Sequence, residues 1–389
     1  MMDCPKIELG QITTTINGLW TGKKPPFVNV AVIRNTNFSK DCRLKMDDVA
    51  MIDVEVKQFA SRKLQMGDII IEKSGGSDKQ PVGRPVLFNI PEGDYSFSNF
   101  TSTLRVIDQG ILLPEYLHKF LYKFYLTGKT AEMQSKTTGL RNLDFNAYKA
   151  IKVPVPSIEE QQHIVDELNL LTNIIDKKNA QLRDLDALAQ SIFHDMFGGN
   201  TSSWPSHRLG DICDTTSGGT PSKSHSEYYL NGTIPWLRSG EVEGTNITDT
   251  EIKITDLGVK YSSAKWFPAQ TVVVAMYGAT VGEVGILGKP MTTNQAVCGI
   301  LPNGSLRPLY LYSWFRSKKM DFVEQATGGA QPNISQNIIR NSKICCPPLE
   351  IQDSFVERLA SIEEQKLMVE KSTRDTQSLL DCRMDLYFG

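Results

Sequence analysis

PSIEEQQHIVDELNLLTNIIDKKNAQLRDLDALAQSIFHDMFG occupies residues 156–198, and PPLEIQDSFVERLASIEEQKLMVEKSTRDTQSLLDCRMDLYFG occupies residues 347–389. The two align without a gap at a constant separation of 191 positions, Pro156 with Pro347. Identities include Glu159/Glu350, Gln161/Gln352, Val165/Val356, Leu168/Leu359, Arg183-Asp184/Arg374-Asp375, Leu188/Leu379 and Phe197-Gly198/Phe388-Gly389. The segments before them echo more faintly. Leu9-Gly10-Gln11-Ile12 matches Leu209-Gly210-Asp211-Ile212, Pro114-Glu115-Tyr116-Leu117 matches Pro308-Leu309-Tyr310-Leu311, and Asn142-Leu143 matches Asn333-Ile334. An internal repeat of this length decides the architecture before any single element does. The chain reads module, helix, module, helix.

Both repeated segments have helical periodicity. The first opens with a capping box, Ser157-x-x-Glu160, behind Pro154 and Pro156, and stops at Gly198-Gly199-Asn200. Between these signals Ile164, Leu168, Leu171, Ile175, Lys178, Leu182, Leu185, Ala189, Ile192 and Met196 step by four and three. That is a heptad seam with one polar position, Lys178, and it predicts a left-handed supercoil. The second segment keeps Phe355, Leu359, Ile362, Val369, Leu380 and Tyr387 in register, with Lys366, Thr373, Thr376 and Arg383 at the remaining seam positions. A seam needs a partner, and the other copy of the same helix, running antiparallel, satisfies a pseudo-two-fold relation. Packing of each helix on its own module is the competing reading. At ~1.5 Å per residue, 40 residues span about 60 Å, which suits a separator of two modules better than a cap on one.

The expected fold is therefore α/β, with two α/β modules separated by two long helices that pair as an antiparallel coiled coil. The expected boundaries are 1–155 and 201–346 for the modules and 156–200 and 347–389 for the helices. Within the modules, Val28–Ile33, Asp68–Glu72, Val86–Asn89, Leu104–Ile107, Thr271–Met276 and Ala296–Leu301 have the branched apolar character of strands. Leu113–Tyr125 and Pro308–Val323 read as helices with proline near the first turn.

The chain has 389 residues, of which 40% are hydrophobic and 22% charged, in the range of globular proteins. Its apolar runs are far shorter than the ~20 residues that cross a bilayer. Met1-Met2-Asp3-Cys4-Pro5-Lys6 lacks the apolar core of a signal peptide. Seven cysteines, with Cys345-Cys346 adjacent, form neither a disulfide framework nor a zinc spacing. A reduced, cytoplasmic protein without a structural metal is expected. The formal net charge of −2 hides a pattern: +5 for residues 1–155, −5 for 156–200, +2 for 201–346 and −4 for 347–389. Basic modules alternate with acidic helices.

No set of residues carries a complete catalytic motif. Lys24-Pro25-Pro26-Phe27 has the shape of an amino-methyltransferase (Asp/Asn)-Pro-Pro-(Tyr/Phe) motif without its polar acceptor. Residues 278–285 are glycine-rich without GxGxxG spacing, and Thr127-Gly128-Lys129-Thr130 ends like a P-loop whose first glycine is Lys123. Asp68 to Lys73 contains nuclease-type residues, but adjacent Glu72 and Lys73 would face opposite sides of a strand. The five histidines are scattered.

Binding equipment remains. In the first module it comprises Trp20, Lys23 and Lys24, then Arg34-Asn35, then Lys73-Ser74, then Lys136, Thr138, Arg141 and Asn142. In the second it comprises Ser217, Thr220, Ser222 and Lys223, then Trp236, Arg238 and Ser239, then Tyr277, then Gln331 and Asn333. Arginine and lysine bond guanine, asparagine and glutamine bond adenine, and hydroxyls hold phosphates. Each loop alone reads more readily as a surface turn using Gly, Ser and Asn for geometry. Their recurrence in both basic modules is what favours contact with DNA.

The organisation resembles the specificity subunits of type I restriction-modification systems, and the resemblance covers the whole chain. It rests on Pro154-Val155-Pro156-Ser157-Ile158-Glu159-Glu160-Gln161 with its copy Pro347-Pro348-Leu349-Glu350-Ile351-Gln352, and on Ser217-Gly218-Gly219-Thr220-Pro221-Ser222 followed by Ile234-Pro235-Trp236-Leu237-Arg238-Ser239-Gly240. The first module departs from it, with Gly18-Leu19-Trp20-Thr21-Gly22-Lys23 instead. The resemblance implies a non-catalytic reader of a bipartite, asymmetric double-stranded DNA target, with the helices fixing an unread spacer. It implies two methyltransferase subunits and restriction (motor-nuclease) subunits as partners. S-adenosylmethionine and ATP with Mg²⁺ would then sit on those partners and no cofactor on this chain. Two other readings stay open on the residues alone: a recognition region fused to a DNA modification enzyme, and a coiled-coil scaffold with no DNA role.

Overall fold

The computed structural model describes residues 4–20, 22, 24–77, 80–137, 140–198, 204–327 and 332–389. The chain forms two compact units, Met1–Lys178 with Ser372–Gly389, and Asn179–Lys371. Each is built on strands whose branched side chains are buried on both faces.

In the first unit a four-stranded antiparallel sheet runs in the spatial order Thr13–Asn17, Thr101–Val106, Ile69–Glu72, Pro85–Leu87. A three-stranded sheet places Phe27–Ile33 between Ala50–Glu55, antiparallel, and Tyr95–Phe97, parallel. Strand alternation divides the run Ile69-Ile70-Ile71 between two cores. Ile69 and Ile71 join Leu104, Tyr116 and Leu117, while Ile70 joins Val86, Phe88 and Phe97. The second unit repeats the device. Val272 and Val274 enter one core with Tyr310 and Phe315, and Val273 and Ala275 enter another with Leu237, Phe267 and Leu287. Its sheets run Thr215–Ser217, Val297–Ile300, Val272–Ala275, Val284–Leu287, Gly244–Ile247, and Lys253–Ile254, Ile234–Leu237, Met291–Thr293, Trp266–Phe267.

The strands and helices expected from the sequence are present, with shifted ends. Pro114–Leu126 is one helix. The single helix expected over 308–323 is two, Pro308–Ser317 and Lys319–Glu324, because Lys318 leaves helical geometry (φ −100°, ψ 5°). Each module is closed by a short antiparallel pair, Lys6–Glu8 with Lys152–Pro154 and Ser206–Arg208 with Lys343–Cys345.

The long helices are Ile158–Phe197 and Leu349–Phe388, each of 40 residues. In the first unit Glu167 pairs with Arg383 and Lys178 meets Ser372 and Thr376. In the second, Asp186 pairs with Lys366, and Leu185 and Ala189 pack on Ile362. Rising numbers on one helix meet falling numbers on the other, so the pairing is antiparallel. The polar seam positions are partnered. Lys178 Nζ donates to Ser372 O (2.8 Å), Ser372 Oγ (2.7 Å) and Thr376 Oγ1 (2.6 Å). Ile164, Leu168, Leu171, Ile175, Leu185, Phe355, Leu359 and Ile362 are buried; Leu182, Ile192, Val369 and Leu380 are half-buried. Met384, one step from the expected seam position Arg383, is the buried residue at that level.

Helix and module are joined by one buried amide in each unit. Gln161 Oε1 accepts from Leu113 N (2.9 Å), and its Nε2 donates to Ile111 O (2.9 Å) and Pro156 O (2.9 Å). Gln352 Oε1 accepts from Arg307 N (2.8 Å), and its Nε2 donates to Ser305 O (3.0 Å) and Pro347 O (2.8 Å). Both side chains are fully buried. Replacing Gln161 by Met keeps the volume but strands a buried amide and two carbonyls, so stability should fall by roughly 2–3 kcal/mol. Urea denaturation of Q161M against wild type measures this, and a change below about 0.5 kcal/mol would show that water takes over the three groups.

Candidate nucleic-acid interface

The two units present loops at matching positions. Ile33 pairs in parallel with Phe97 and its carbonyl accepts from Ser98 N (2.9 Å); Leu237 pairs with Thr293 and its carbonyl accepts from Asn294 N (2.9 Å). Leu19 N donates to Phe97 O and Gly219 N to Thr293 O, both at 2.9 Å. This register makes Arg34 equivalent to Arg238 and Trp20 to Thr220. Each arginine precedes a short 3-10 turn, Asn35–Asn37 or Ser239–Glu241. A Cβ on Gly18 would lie 1.9 Å from Ser98 O, and one on Gly218 would lie 2.1 Å from Thr293 O. Only glycine allows this approach, so the divergent Gly18-Leu19-Trp20 and the Ser217-Gly218-Gly219-Thr220 run occupy the same place.

A second pair of loops follows each central strand. In the first unit Ser74 bridges Asn142, Gly75 N donates to Arg141 O (3.1 Å) and Leu143 N to Lys73 O (2.8 Å). In the second, Tyr277 bridges Asn333, Gly278 N donates to Pro332 O (2.9 Å) and Ile334 N to Met276 O (2.9 Å). The turn needs a left-handed residue, supplied by Gly75 (φ 113°) and Gly278 (φ 77°).

The structure brings together several of the residues singled out in the sequence. Ser74 Oγ donates to Asn142 Oδ1 (2.6 Å), and Asn35 Nδ2 donates to Ser74 O (3.5 Å), so three separate segments meet. Lys73 beside them is half-buried, which lowers its pKa. Trp20 and Lys24 are exposed and held through their backbones, Trp20 N donating to Gln58 Oε1 (3.3 Å) and Lys24 N to Glu55 Oε1 (2.8 Å). In the second unit Tyr277, Asn333, Ser222 and Lys223 are exposed, and Ser239 is half-buried. Ser217 Oγ donates to Gln336 Oε1 (3.3 Å), and Thr220 bonds Gln295. Lys23, Thr138, Gln331 and the side chain of Lys136 lie outside the described residues.

Trp236 is corrected. It is 4% exposed, and its indole Nε1 donates to Gly219 O (3.0 Å) while its ring packs against Tyr229. Tyr229 in turn donates to Pro221 O (2.5 Å). The tryptophan braces the 219–221 loop from inside and has no face for a ligand. Arg238 is exposed only in part and is engaged by two carboxylates, Glu241 at 2.9 Å and Glu251. The bond to Glu241 is the main cause that raises its pKa. Gln295 and these two glutamates were missed from sequence. Glu241 stands three residues after Arg238, and Gln295 follows a strand as Asn35 does, but no spacing marks Glu251.

Asp68 and Glu72, the nuclease-type pair, are both spent on arginines. Asp68 takes a bidentate bond from Arg105 (2.7 and 2.7 Å) and Glu72 one from Arg84 (2.7 and 3.0 Å). Arg84 also donates to Phe38 O, Ser39 O and Asn35 O, so this buried pair fixes the loop that carries Arg34 and Asn35.

Two units that share a core of four and three strands, to each sheet of which the second adds one edge strand, offer loops of different chemistry at the same positions and define a duplicated recognition module. The chain belongs to the type I restriction modification DNA specificity domain family, whose model matches residues 7–184 and 201–376. It is 25% identical over 283 residues to the type I restriction enzyme EcoR124I/EcoR124II specificity subunit of Escherichia coli, covering 68% of each chain. It is 22% identical to the HindI specificity subunit of Haemophilus influenzae, covering 94% of this chain and 95% of that one. Its fold is similar to that of the type I restriction-modification S subunit from M. genitalium (TM-score 0.56, 13% identical, 100% and 96% covered). A chain from a structure on complex assembly and conformational transition of the type I R-M system has a TM-score of 0.58 (17% identical, 100% and 99% covered). No helix among the described residues is long and apolar enough to cross a membrane.

Because Arg84 neutralises a buried carboxylate, Arg84→Met should cost roughly 3–5 kcal/mol, and the double change with Glu72→Leu should recover most of it. A urea-denaturation double-mutant cycle reads the difference; equal losses in single and double variants would show that the carboxylate is not what destabilises.

Proposed function

We propose that this chain reads a bipartite, asymmetric DNA target and carries no catalysis of its own. The observation that supports this most is that matched loop positions bear different side chains: Trp20 against Thr220, Asn35 against Ser239 and Ser74 against Tyr277. One scaffold used twice with different contact residues suits two half-sites of different sequence. In this reading residues 1–155 and 201–346 are the readers, and the mildly basic charge of both favours the phosphate backbone. The helices, 156–200 and 347–389, set the unread spacer.

The pseudo-two-fold helices suit two copies of one partner, a methyltransferase subunit, with restriction subunits joining the complex. S-adenosylmethionine, ATP and Mg²⁺ belong to those partners, and the complex works in the cytoplasm. Of the predicted contacts, Trp20, Lys24, Arg34, Asn35, Lys73, Ser74, Arg141 and Asn142 serve one half-site. Ser217, Thr220, Ser222, Lys223, Ser239, Tyr277 and Asn333 serve the other, and Lys23, Lys136, Thr138 and Gln331 stay in the set on their sequence context.

Duplex binding by the chain with its methyltransferase partners should weaken steeply with salt and depend on sequence. Binding indifferent to both would favour a scaffold instead. Exchanging residues 201–346 for those of another subunit should change one half-site in a genome-wide map of methylated adenine, and altered bases in both halves would refute the modular assignment. Inserting about one helical turn after Leu171 should change the tolerated spacer and neither half-site. An unchanged spacer would mean that the helices do not set it.

A further inference from the structure

Arg34 and Arg238 occupy the same position in the two units, yet their surroundings differ. Arg238 donates through Nε to Glu241 (2.9 Å) and through a terminal nitrogen to Glu251. Glu241 also accepts from Glu251 N (2.7 Å), so the two carboxylates form a braced clasp around one guanidinium. Among the described residues Arg34 has no such clasp. The carboxylate paired with it among the described residues is Asp48, at 4.0 Å and itself 96% exposed. Its Nε is buried without a hydrogen-bond partner among the described residues.

The backbone beneath Arg34 is nonetheless fixed. Arg34 N donates to Asn37 Oδ1 (2.9 Å), Asn37 Nδ2 donates to Lys45 O (3.3 Å) and Asp48 O (2.9 Å), and Arg84 binds Asn35 O (3.3 Å). A fixed base with a guanidinium whose donors are largely unspent on the described residues is the arrangement that bidentate recognition needs. The planar fork matches the N7 and O6 acceptors of guanine in the major groove. Next to it, Ser74 links Asn35 and Asn142 into one hydrogen-bonded group that can accept or donate to a neighbouring base edge.

We propose that Arg34 reads a guanine in one half-site, and that the Glu241–Glu251 clasp withholds Arg238 from the same role in the other. This rests on the reading of the chain as a bipartite DNA reader. The clasp is then a specificity element: one scaffold position is active in the first module and silenced in the second by two side chains.

The test maps methylated adenines genome-wide for the complete complex of this chain with its methyltransferase partners. It compares wild type with R34A, R34K and the double variant E241Q/E251Q. Wild-type sites should carry an invariant guanine in one half. R34A should accept other bases there, discrimination falling by about tenfold or more at that single position, with the other half-site unchanged. R34K keeps the charge but loses the fork, and should relax the same position. E241Q/E251Q should alter one position in the other half-site only. Uniformly weaker methylation with an unchanged consensus in R34A would make Arg34 a phosphate anchor and overturn the assignment alone. So would the lack of an invariant guanine, or an unaltered consensus in E241Q/E251Q. A wild-type map with no two-part consensus would take down the bipartite reading as well.

Discussion

A side-chain amide sealed from water on all sides must spend its hydrogen bonds on whatever surrounds it, and Gln161 and Gln352 spend theirs on two pieces of chain at once. Each accepts from the backbone at the start of a module helix and donates to the carbonyls before that helix and before the long helix. Leaving any of these groups unpaired is costly, so the long helix has one permitted angle on its module. The start of a module helix and the first turn of the long helix are thereby held together. The proposed spacer role of the helices depends on this joint, since a helix on a loose hinge would fix no distance.

Aromatic packing reinforces the same joint from the other direction. Phe197 sits edge-on to Tyr310 (4.8 Å) and Phe355 (5.2 Å), while Phe388 sits against Tyr116 (5.4 Å) and Phe120 (5.9 Å). In each unit the module is held by the beginning of one long helix and the end of the other. Tyr116 and Tyr310 complete the pattern by donating to the backbone of the closing strands, at Pro154 O and Cys345 O.

The duplicated scaffold was legible because it is written in periodicities and in repeated residues. The repeated Phe-Gly and the repeated glutamine survive in the chain as identities, the seam survives as a periodicity, and the branched strand runs are recognisable by composition. Within the modules the repeat survives only as short echoes, and strand register is what makes Trp20 the counterpart of Thr220. Candidate contacts were legible as residue types on loops, which is why Asn35, Ser74 and Asn142 could be named before they were seen to touch. What composition could not convey was direction. Trp236 has the look of an exposed anchor until its indole is found bonded to Gly219 O beneath the loop. Arg238 reads like Arg34 until Glu251, 13 residues away, closes over it. Such contacts depend on side-chain orientation and long-range register, and neither leaves a mark in the local sequence.

The first unit takes in Ser372–Gly389, whereas the second is the continuous stretch Asn179–Lys371. During synthesis the second unit therefore has all of its parts while the first still waits for Met384 and Phe388. The apolar faces of Tyr116 and Phe120 stay partly uncovered until the last turns of the second long helix have been made, a condition that invites association with other nascent chains. The earliest-made module is thus the last to receive all of its parts.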